Sequence, residues 1–368
     1  MVIGVLKEPS FETRVSLLPD AAAALVKKGS KVFVQDGAGE KAFSNNEDYT
    51  KSGAEIKSAS EIVQTADVLL SIHPPSAGLL KNKVLIGVYQ PLYNKELMGS
   101  WAAGGISSFS LDMLPRTTRA QSMDVLSSQA NIAGYKAVML SADKYPRYFP
   151  MLMTAAGSIV PAKVLILGAG VAGLQAIATA RRLGAVVEVF DTRPAVKEEV
   201  MSLGGKFIEV EGAADASKAG GYAVEQSSEF QQRQKEKIGE SIAKADVVIT
   251  TAQIPGKKAP VLITKDMIAR MRRGSLIVDL AAATGGNTDY TINNEMVVVD
   301  GVTIIGNSAL SSTMPSDASK LYGKNVLNFM NLIMNKEGEL FLNFEDDLVK
   351  GCCITHGGEI VHEKVKSL

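Results

Sequence analysis

The chain has 368 residues, enough for two domains, and is 46% hydrophobic and 21% charged, which is typical of a globular protein with a substantial core. Lysine and arginine number 39, as do aspartate and glutamate, so the formal net charge is zero. This balance excludes a basic surface that would recruit nucleic acid or an anionic membrane.

The cysteines and the apolar stretches bear on the location of the chain. The two cysteines are adjacent, at positions 352 and 353, and neighbouring cysteines rarely form a disulfide, which favours a reducing compartment. The N-terminus, MVIGVLKEPSFETRV, lacks the apolar core and cleavage site of a signal peptide. The most apolar stretch, residues 164–180, is short and interrupted by glycines, so we expect no membrane span.

In the first half of the chain, short apolar strands alternate with helical segments. Strands are predicted for VIGVLK, KVFVQDGAG, DVLLSIH, KVLIGVYQ and GISSFSLDML. Helices are predicted for AAAALVKKG, EDYTKSGAEI and SASEIVQTA. This alternation predicts a parallel sheet covered by helices on both faces.

The second half repeats the pattern and then returns to other elements. KVLILGAG, AVVEVFD, KFIEV, DVVITTA, SLIVDLAA and VTIIGN are predicted strands, separated by helical segments. A long amphipathic helix, SDASKLYGKNVLNFMNLIMNK, and a strand-rich tail follow. We therefore expect an α/β protein with two Rossmann-like, doubly wound domains and a cleft between them. Residues 1–126 together with 319–368 would form the first domain, and residues 127–318 the second.

The segment LGAGVAG carries Gly168, Gly170 and Gly173 in the spacing of a dinucleotide-binding turn. It follows an apolar strand and opens a helix at Val171, the context that the motif requires. The glycines would allow a tight turn, close approach of a pyrophosphate and close packing of the helix, whose N-terminus attracts phosphate. A turn that merely packs a helix on a strand is the alternative.

Two further strand ends complete this predicted site. Asp191 ends the next strand, about 20 residues after the glycines, where a carboxylate binds the adenosine ribose and repels a 2′-phosphate. Thr192 and Arg193 follow it, and we expect Asp191 to outweigh Arg193, so NAD(H) is predicted over NADP(H). The exit of another strand adds candidate contacts to the nucleotide, and an ordinary loop is equally compatible with them: Thr251, Ala252 and Gln253.

A polar segment, RTTRAQSMD at residues 116–124, precedes a helix with an apolar stripe. Asp124 is expected in the first turn of this helix, where the helix dipole favours a carboxylate. Arg116 lies eight residues upstream, within reach of Asp124 if the loop folds back. Such a pair would suit a carboxamide or another neutral polar group, but a solvated capping loop explains the same residues.

Nearly the whole chain resembles the NAD(H)-binding domain of proton-translocating nicotinamide nucleotide transhydrogenases, in the alanine dehydrogenase/transhydrogenase family. The resemblance includes KEPSFETRVSLLPD, PRTTRAQSMDVLSSQANIAGYKAV, MTAAGSIVPAKVLILGAGVAGLQAIATARRLGA and GSLIVDLAAATGGN. It implies that Arg116 and Asp124 fix the carboxamide of the nicotinamide, with Ser127 nearby, and that Gln121 reaches between two nicotinamides. Tyr222 matches a loop that closes over the nucleotide.

The resemblance also implies partners. NADP(H) would bind a separate NADP(H)-binding domain, and membrane-spanning transhydrogenase subunits would couple hydride transfer to proton translocation. The chain would form a homodimer on the cytoplasmic face of the inner membrane.

The same family contains alanine dehydrogenase, which leaves an amino acid dehydrogenase as the alternative. That reaction moves a proton as well as a hydride, and a general acid–base group is needed for it. The chain has His73 at the place of the lysine, no histidine in VLIGVYQPL, and Ala283 at the place of the aspartate. Arg14 matches the substrate-carboxylate arginine of the family but does not discriminate between the two activities. No metal-site spacing is present.

Overall fold

The computed structural model describes residues 1–75, 80–210, 212, 227–335 and 337–368. These residues form two compact units, Met1–Gln129 with Ser312–Leu368, and Ala130–Ser311. The chain divides at 129/130 and 311/312, compared with the expected 126/127 and 318/319. Tyr222 lies outside the described residues.

The strands are short and mostly apolar. In chain order they are β1 (Val2–Val5), β2 (Lys31–Gln35), β3 (Glu55–Lys57), β4 (Val68–Leu70), β5 (Val84–Gly87), β6 (Ser107–Ser110), β7 (Leu152–Thr154), β8 (Gly157–Ile159), β9 (Lys163–Leu167), β10 (Val186–Phe190), β11 (Lys206–Phe207), β12 (Val247–Thr250), β13 (Leu276–Asp279), β14 (Glu295–Val299), β15 (Val302–Gly306), β16 (Cys353–His356) and β17 (Glu359–Ile360).

The helices alternate with the strands in both units. In chain order they are α1 (Pro19–Lys27), α2 (Asn46–Lys51), α3 (Ala59–Thr65), α4 (Lys95–Ala103), α5 (Val125–Lys144), α6 (Val171–Arg182), α7 (Lys197–Ser202), α8 (Ser228–Ile242), α9 (Lys265–Ile268), α10 (Pro315–Met330), α11 (Asp347–Cys352) and α12 (Glu363–Lys366). Among the described residues, none of these helices has the length and apolar character needed to span a membrane.

Each unit contains one large sheet with the strand order of a doubly wound fold. In the first unit, the described strands run β3-β2-β1-β4-β5-β6, all parallel, and antiparallel β16 and β17 extend the β6 edge. In the second, they run β11-β10-β9-β12-β13-β15-β14, parallel except for β14. The α/β prediction is confirmed. The order reverses beside β1 and beside β9, where ligands bind in such sheets.

The structure corrects the expected elements in two places. The segment EDYTKSGAEI was expected to be wholly helical, but α2 ends at Lys51, Gly53 takes φ +89°, and Glu55–Lys57 form β3. The parallel register of β3 on β2 favours the strand because it buries Ile56 against the sheet. In the tail, Asp346 caps a helix, α11, before the strands begin.

The two faces of the second sheet are covered by different helices. Buried residues of α5 and α6, such as Ala137 and Ala176, pack on one face. Phe230 and Ile242 of α8 pack on the other. Helices α5 and α6 approach each other closely, because a Cβ on Gly134 would lie 2.1 Å from the carbonyl oxygen of Ala172.

We predict that Gly134→Ala destabilises the protein by about 1–3 kcal/mol, because the added methyl group would force these two helix backbones apart. Gly99→Ala is the matched control, since Gly99 is also inside a helix but has open space around its Cβ position. That change should stabilise the protein by roughly 0.5–1 kcal/mol. Urea unfolding followed by circular dichroism measures both, and stabilisation by both substitutions would contradict the close approach.

Candidate functional site

The glycine turn, residues 168–173, joins the end of β9 to the start of α6. Gly168 has φ +106°, a backbone conformation that favours glycine. A Cβ on Gly173 would lie 1.8 Å from the carbonyl oxygen of Gly168, so the helix can start this close to the strand only without a side chain there. Gly170 is the N-cap of α6, with open space at its Cβ position and no side-chain cap in the described part of the chain. This N-terminus can therefore accept an anion.

Asp191, directly after β10, is tied to the glycine turn. Its side chain is 6% exposed and accepts a 2.7 Å hydrogen bond from the backbone N–H of Ala169. The carboxylate also pairs with Arg193, whose Nε and terminal nitrogen lie 2.9 and 2.7 Å away, and accepts from the backbone N–H of Arg193 at 2.8 Å. This pairing raises the pKa of Arg193. Thr192 lies between the two and is half-buried.

The third strand end brings residues 251–253 to the same turn. Thr251 Oγ1 donates to the carbonyl of Gly168 at 3.2 Å, which joins the exit of β12 to the glycine turn. Gln253 donates to the carbonyl of Leu280 at 3.0 Å. Ala252 is held on both sides by Asn287, which accepts from its N–H at 3.1 Å and donates to its carbonyl at 2.9 Å.

Asn287 is a residue that the sequence interpretation missed. It is fully buried and also donates to the carbonyl of Pro260 at 2.8 Å. Its backbone N–H donates to the buried carboxylate of Asp279 at 2.6 Å. The sequence signal was the GGN triplet after a strand, where two glycines with positive φ turn the chain and leave the asparagine facing inward.

The predicted nicotinamide residues lie in the first unit and are described separately. Arg116 and Gln121 are exposed, and a 3₁₀ turn spans Thr118–Met123. Asp124 directly precedes α5 rather than lying in its first turn. Its carboxylate accepts from the N–H of Ser127 at 2.9 Å and from the Ser127 hydroxyl at 2.6 Å, so it caps the helix.

Arg14 and His73 lie in a polar cluster of the first unit. The buried Glu12 accepts from Arg14 Nε and a terminal nitrogen at 2.9 and 2.7 Å, and from His73 Nε2 at 2.7 Å. Arg14 also donates to Gln129 at 2.8 Å. Although burial opposes ionisation of Glu12, the hydrogen bonds from Arg14 and His73 hold its pKa well below the usual range. The arginine is thus occupied by an internal carboxylate.

Glu8 stands beside this cluster and behaves differently. Its two carboxylate oxygens accept from the backbone N–H groups of Ile72 and His73 at 2.6 and 3.0 Å. Burial outweighs these hydrogen bonds and raises the pKa of Glu8 to about 7. Ala283, at the place where the alternative reaction needs an acid, is exposed. Among the described residues, no group of histidine, cysteine and acidic side chains could hold a metal ion.

Comparisons with known proteins match both units. Models of the alanine dehydrogenase/PNT N-terminal and C-terminal domains match residues 4–133 and 137–363. An NAD(P) transhydrogenase alpha subunit of Rhodospirillum rubrum, the first of the pieces into which that subunit is divided, is 44% identical over 364 residues, covering 95% of each chain. The solved structure of transhydrogenase from Sinorhizobium meliloti is 43% identical, with a TM-score of 0.90 over 98% of this chain and 100% of that one.

More distant matches support the same family. The alanine dehydrogenase of Mycolicibacterium smegmatis is 26% identical over 378 residues, covering 99% of this chain and 96% of that one. The chain therefore belongs to the alanine dehydrogenase/PNT family, and the resemblance predicted from the sequence is confirmed. The higher identity to transhydrogenase alpha subunits supports assignment as a transhydrogenase component of the oxidoreductase class.

We predict that the stability of the protein falls between pH 5 and pH 8 because of Glu8. With its pKa raised from 4.5 to about 7, the native state binds more protons than the unfolded state in this range. The stability that protonated Glu8 contributes is fully present below about pH 4.5 and is lost as the pH rises through 7, by up to about 3 kcal/mol. Urea unfolding at intervals of pH measures this decline.

In Glu8→Gln the decline should be flatter, although the variant is less stable at pH 5 because an amide oxygen replaces only one of the two acceptors. Glu96→Gln, at an exposed position on α4, is the control and should keep the wild-type slope. An unchanged slope in Glu8→Gln would refute the assignment.

Proposed function

Because the chain belongs to the alanine dehydrogenase/PNT family, we propose that it is the NAD(H)-binding component of a proton-translocating NAD(P) transhydrogenase. NAD(H) binds this chain, NADP(H) binds a partner, and hydride passes directly between the two nicotinamide rings. The observation that carries the proposal is the glycine turn with Asp191 at its edge, in a chain that matches a transhydrogenase alpha subunit over 95% of both lengths.

The second unit has the groups that a dinucleotide needs. The N-terminus of α6 offers backbone N–H groups to the pyrophosphate, and Gly168 and Gly173 leave the room for its approach. Asp191 accepts hydrogen bonds from the ribose hydroxyls, and Thr251, Ala252 and Gln253 border the nucleotide. Since the carboxylate is already paired with Arg193, the two residues form one unit that the ribose must share.

The first unit supplies the groups for the nicotinamide end. NADH supplies the hydride, and its transfer between two nicotinamides requires no proton at the reacting carbons, so the site needs positioning rather than an acid–base pair. In this proposal Arg116 and Asp124, supported by Ser127, fix the carboxamide, while Gln121 contacts the partner's nucleotide. Asp124 has the geometry for this because its capping bonds to Ser127 fix both carboxylate oxygens.

The proposed partners follow from the family. They are the NADP(H)-binding domain and membrane-spanning subunits that couple transfer to proton translocation, with this chain on the cytoplasmic face of the inner membrane. We also propose a homodimer. The β7–β8 hairpin carries exposed Met153 and is flanked by exposed Met151 and Val160, an apolar surface suited to a second copy. Sedimentation of the 39.0 kDa chain as a monomer at micromolar concentration would contradict this.

Alanine dehydrogenase activity is the alternative, and the Arg14 cluster argues against it. An amino acid would need the guanidinium that Glu12 and Gln129 already engage. Formation of NADH from alanine and NAD⁺ by the purified chain would establish the alternative.

We predict that Asp191→Asn changes the nucleotide preference. Loss of the charge should weaken NADH binding by roughly 10- to 100-fold, equivalent to about 1.5–3 kcal/mol for a hydrogen bond to a charged group. The change also releases the guanidinium of Arg193, which should then bind a 2′-phosphate, so NADPH affinity rises. Calorimetric titration measures both nucleotides. In Asp191→Asn/Arg193→Gln the gain for NADPH should disappear, and its persistence would exclude Arg193 as the phosphate ligand.

We predict that Gln121→Asn and Asp124→Asn each slow hydride transfer by roughly 10- to 100-fold, because small displacements of reacting groups cost this much. The Kd for NADH should change less than about threefold, and asparagine remains a good N-cap, so the fold is preserved. Stopped-flow absorbance with the NADP(H)-binding partner measures transfer, and fluorescence titration measures binding.

Asp143→Asn, which removes an exposed carboxylate near the other end of α5, is the control and should transfer hydride at the wild-type rate. Equal losses of rate and NADH affinity in the Gln121 and Asp124 variants would contradict the positioning role. Absence of hydride exchange with the partner in the wild-type chain would refute the proposed function itself.

A further inference from the structure

The carbonyl group of Ser122 receives two side-chain hydrogen bonds from one helix. Ser122 lies in the 3₁₀ turn Thr118–Met123, between Gln121 and Asp124. Its carbonyl oxygen accepts from the side-chain amides of Asn325 at 2.8 Å and Asn328 at 2.9 Å. Both asparagines project from α10, three residues apart and therefore on one face of that helix. The two donors occupy both lone pairs of the carbonyl.

Asn325 is a costly residue for this position. It is 8% exposed in the middle of a helix, and asparagine is a poor helix former. The helix buries Tyr322, Val326 and Phe329 around it, so an apolar side chain would suit the surroundings. The Asn325 Oδ1 atom is buried and has no hydrogen-bond partner among the described residues. A native protein that retains such a group needs a reason for it.

The other side of the turn is also anchored. Arg119 donates to the two carboxylate oxygens of Asp346 at 2.6 and 2.7 Å and also pairs with Asp347. Ala120 and Met123 are buried in the core of the first unit. Gln121 is thus exposed between residues that are each fixed, and the backbone leading to Asp124 is held through Ser122.

We propose that Asn325 and Asn328 are positioning residues, which hold the turn so that Gln121 and Asp124 meet the nicotinamide in the geometry needed for hydride transfer. The inference rests on the proposed function. Asn325 holds the Ser122 carbonyl at the expense of its own orphaned Oδ1, so its contribution is to the placement of the loop and not to folding. Replacement by an apolar side chain should therefore separate rate from stability.

The test is Asn325→Leu in the full chain, reconstituted with the NADP(H)-binding partner domain. Because the orphaned oxygen is removed, Tm should stay equal or rise. Because one of the two anchors of Ser122 is lost, the hydride-transfer rate should fall about tenfold, with the Kd for NADH within about twofold. Asn331→Leu, at the exposed end of the same helix, is the matched control and should alter none of the three values. An unchanged rate in Asn325→Leu would overturn the proposal.

A double-mutant cycle with Gln121→Asn separates positioning from a general structural effect. If Asn325 acts through the turn, Asn325→Leu should cost less in the Gln121→Asn background than in the wild type. Additive losses would overturn the proposal.

Hydrogen exchange provides a readout that does not depend on activity. In Asn325→Leu the amides of residues 118–125 should exchange faster, by about tenfold, while those of α6 keep their wild-type rates. Unchanged exchange in 118–125 would overturn the clamp whatever the activity. A wild-type chain without hydride transfer would instead refute the proposed function, and faster exchange in the variant would still establish the clamp.

Discussion

The second unit depends on the absence of side chains where β9 meets α6. Gly173 lies so close to the Gly168 carbonyl that a single methyl group would displace the helix. This contact starts the helix at the strand end and leaves its first N–H groups uncapped by any described side chain. The parallel register then aligns the neighbours, since Leu167 lies opposite Phe190 of β10 and Thr250 of β12. Asp191 and Thr251, each one residue further along, therefore reach the turn.

The two units use the same electrostatic element for opposite purposes. In each, an arginine pairs with a carboxylate two residues earlier in the chain, Asp191 with Arg193 and Glu12 with Arg14. Separating such a buried pair leaves an unpaired charge in a poorly solvated place. At the glycine turn the carboxylate is the group that a ribose can share. In the first unit, the carboxylate occupies the arginine that an amino acid substrate would otherwise need.

The polar loop shows how a binding site is supported by residues that do not contact the ligand. A 3₁₀ turn has few internal hydrogen bonds, so side chains from α10 and from the start of α11 fix it. The buried Asn325 places a polar atom in the interior without a partner among the described residues, which is a cost to stability. Functional residues on rigid supports of this kind can be held to a fraction of an ångström.

The amino-acid sequence alone determined the alternation of strands and helices, the glycine turn and the acid after the next strand, because these depend on local periodicity and on short fixed spacings. The family followed from motifs such as RTTRAQSMD, which are contiguous in the chain. Other features depend on residues far apart. The pairing of β3 with β2 overrode the helical pattern of its segment, and Asn287 and Asn325 hold loops 35 and 203 residues away in the chain. Only the tertiary structure decides such contacts, since a hydrogen bond between distant residues leaves no periodic signal in either segment.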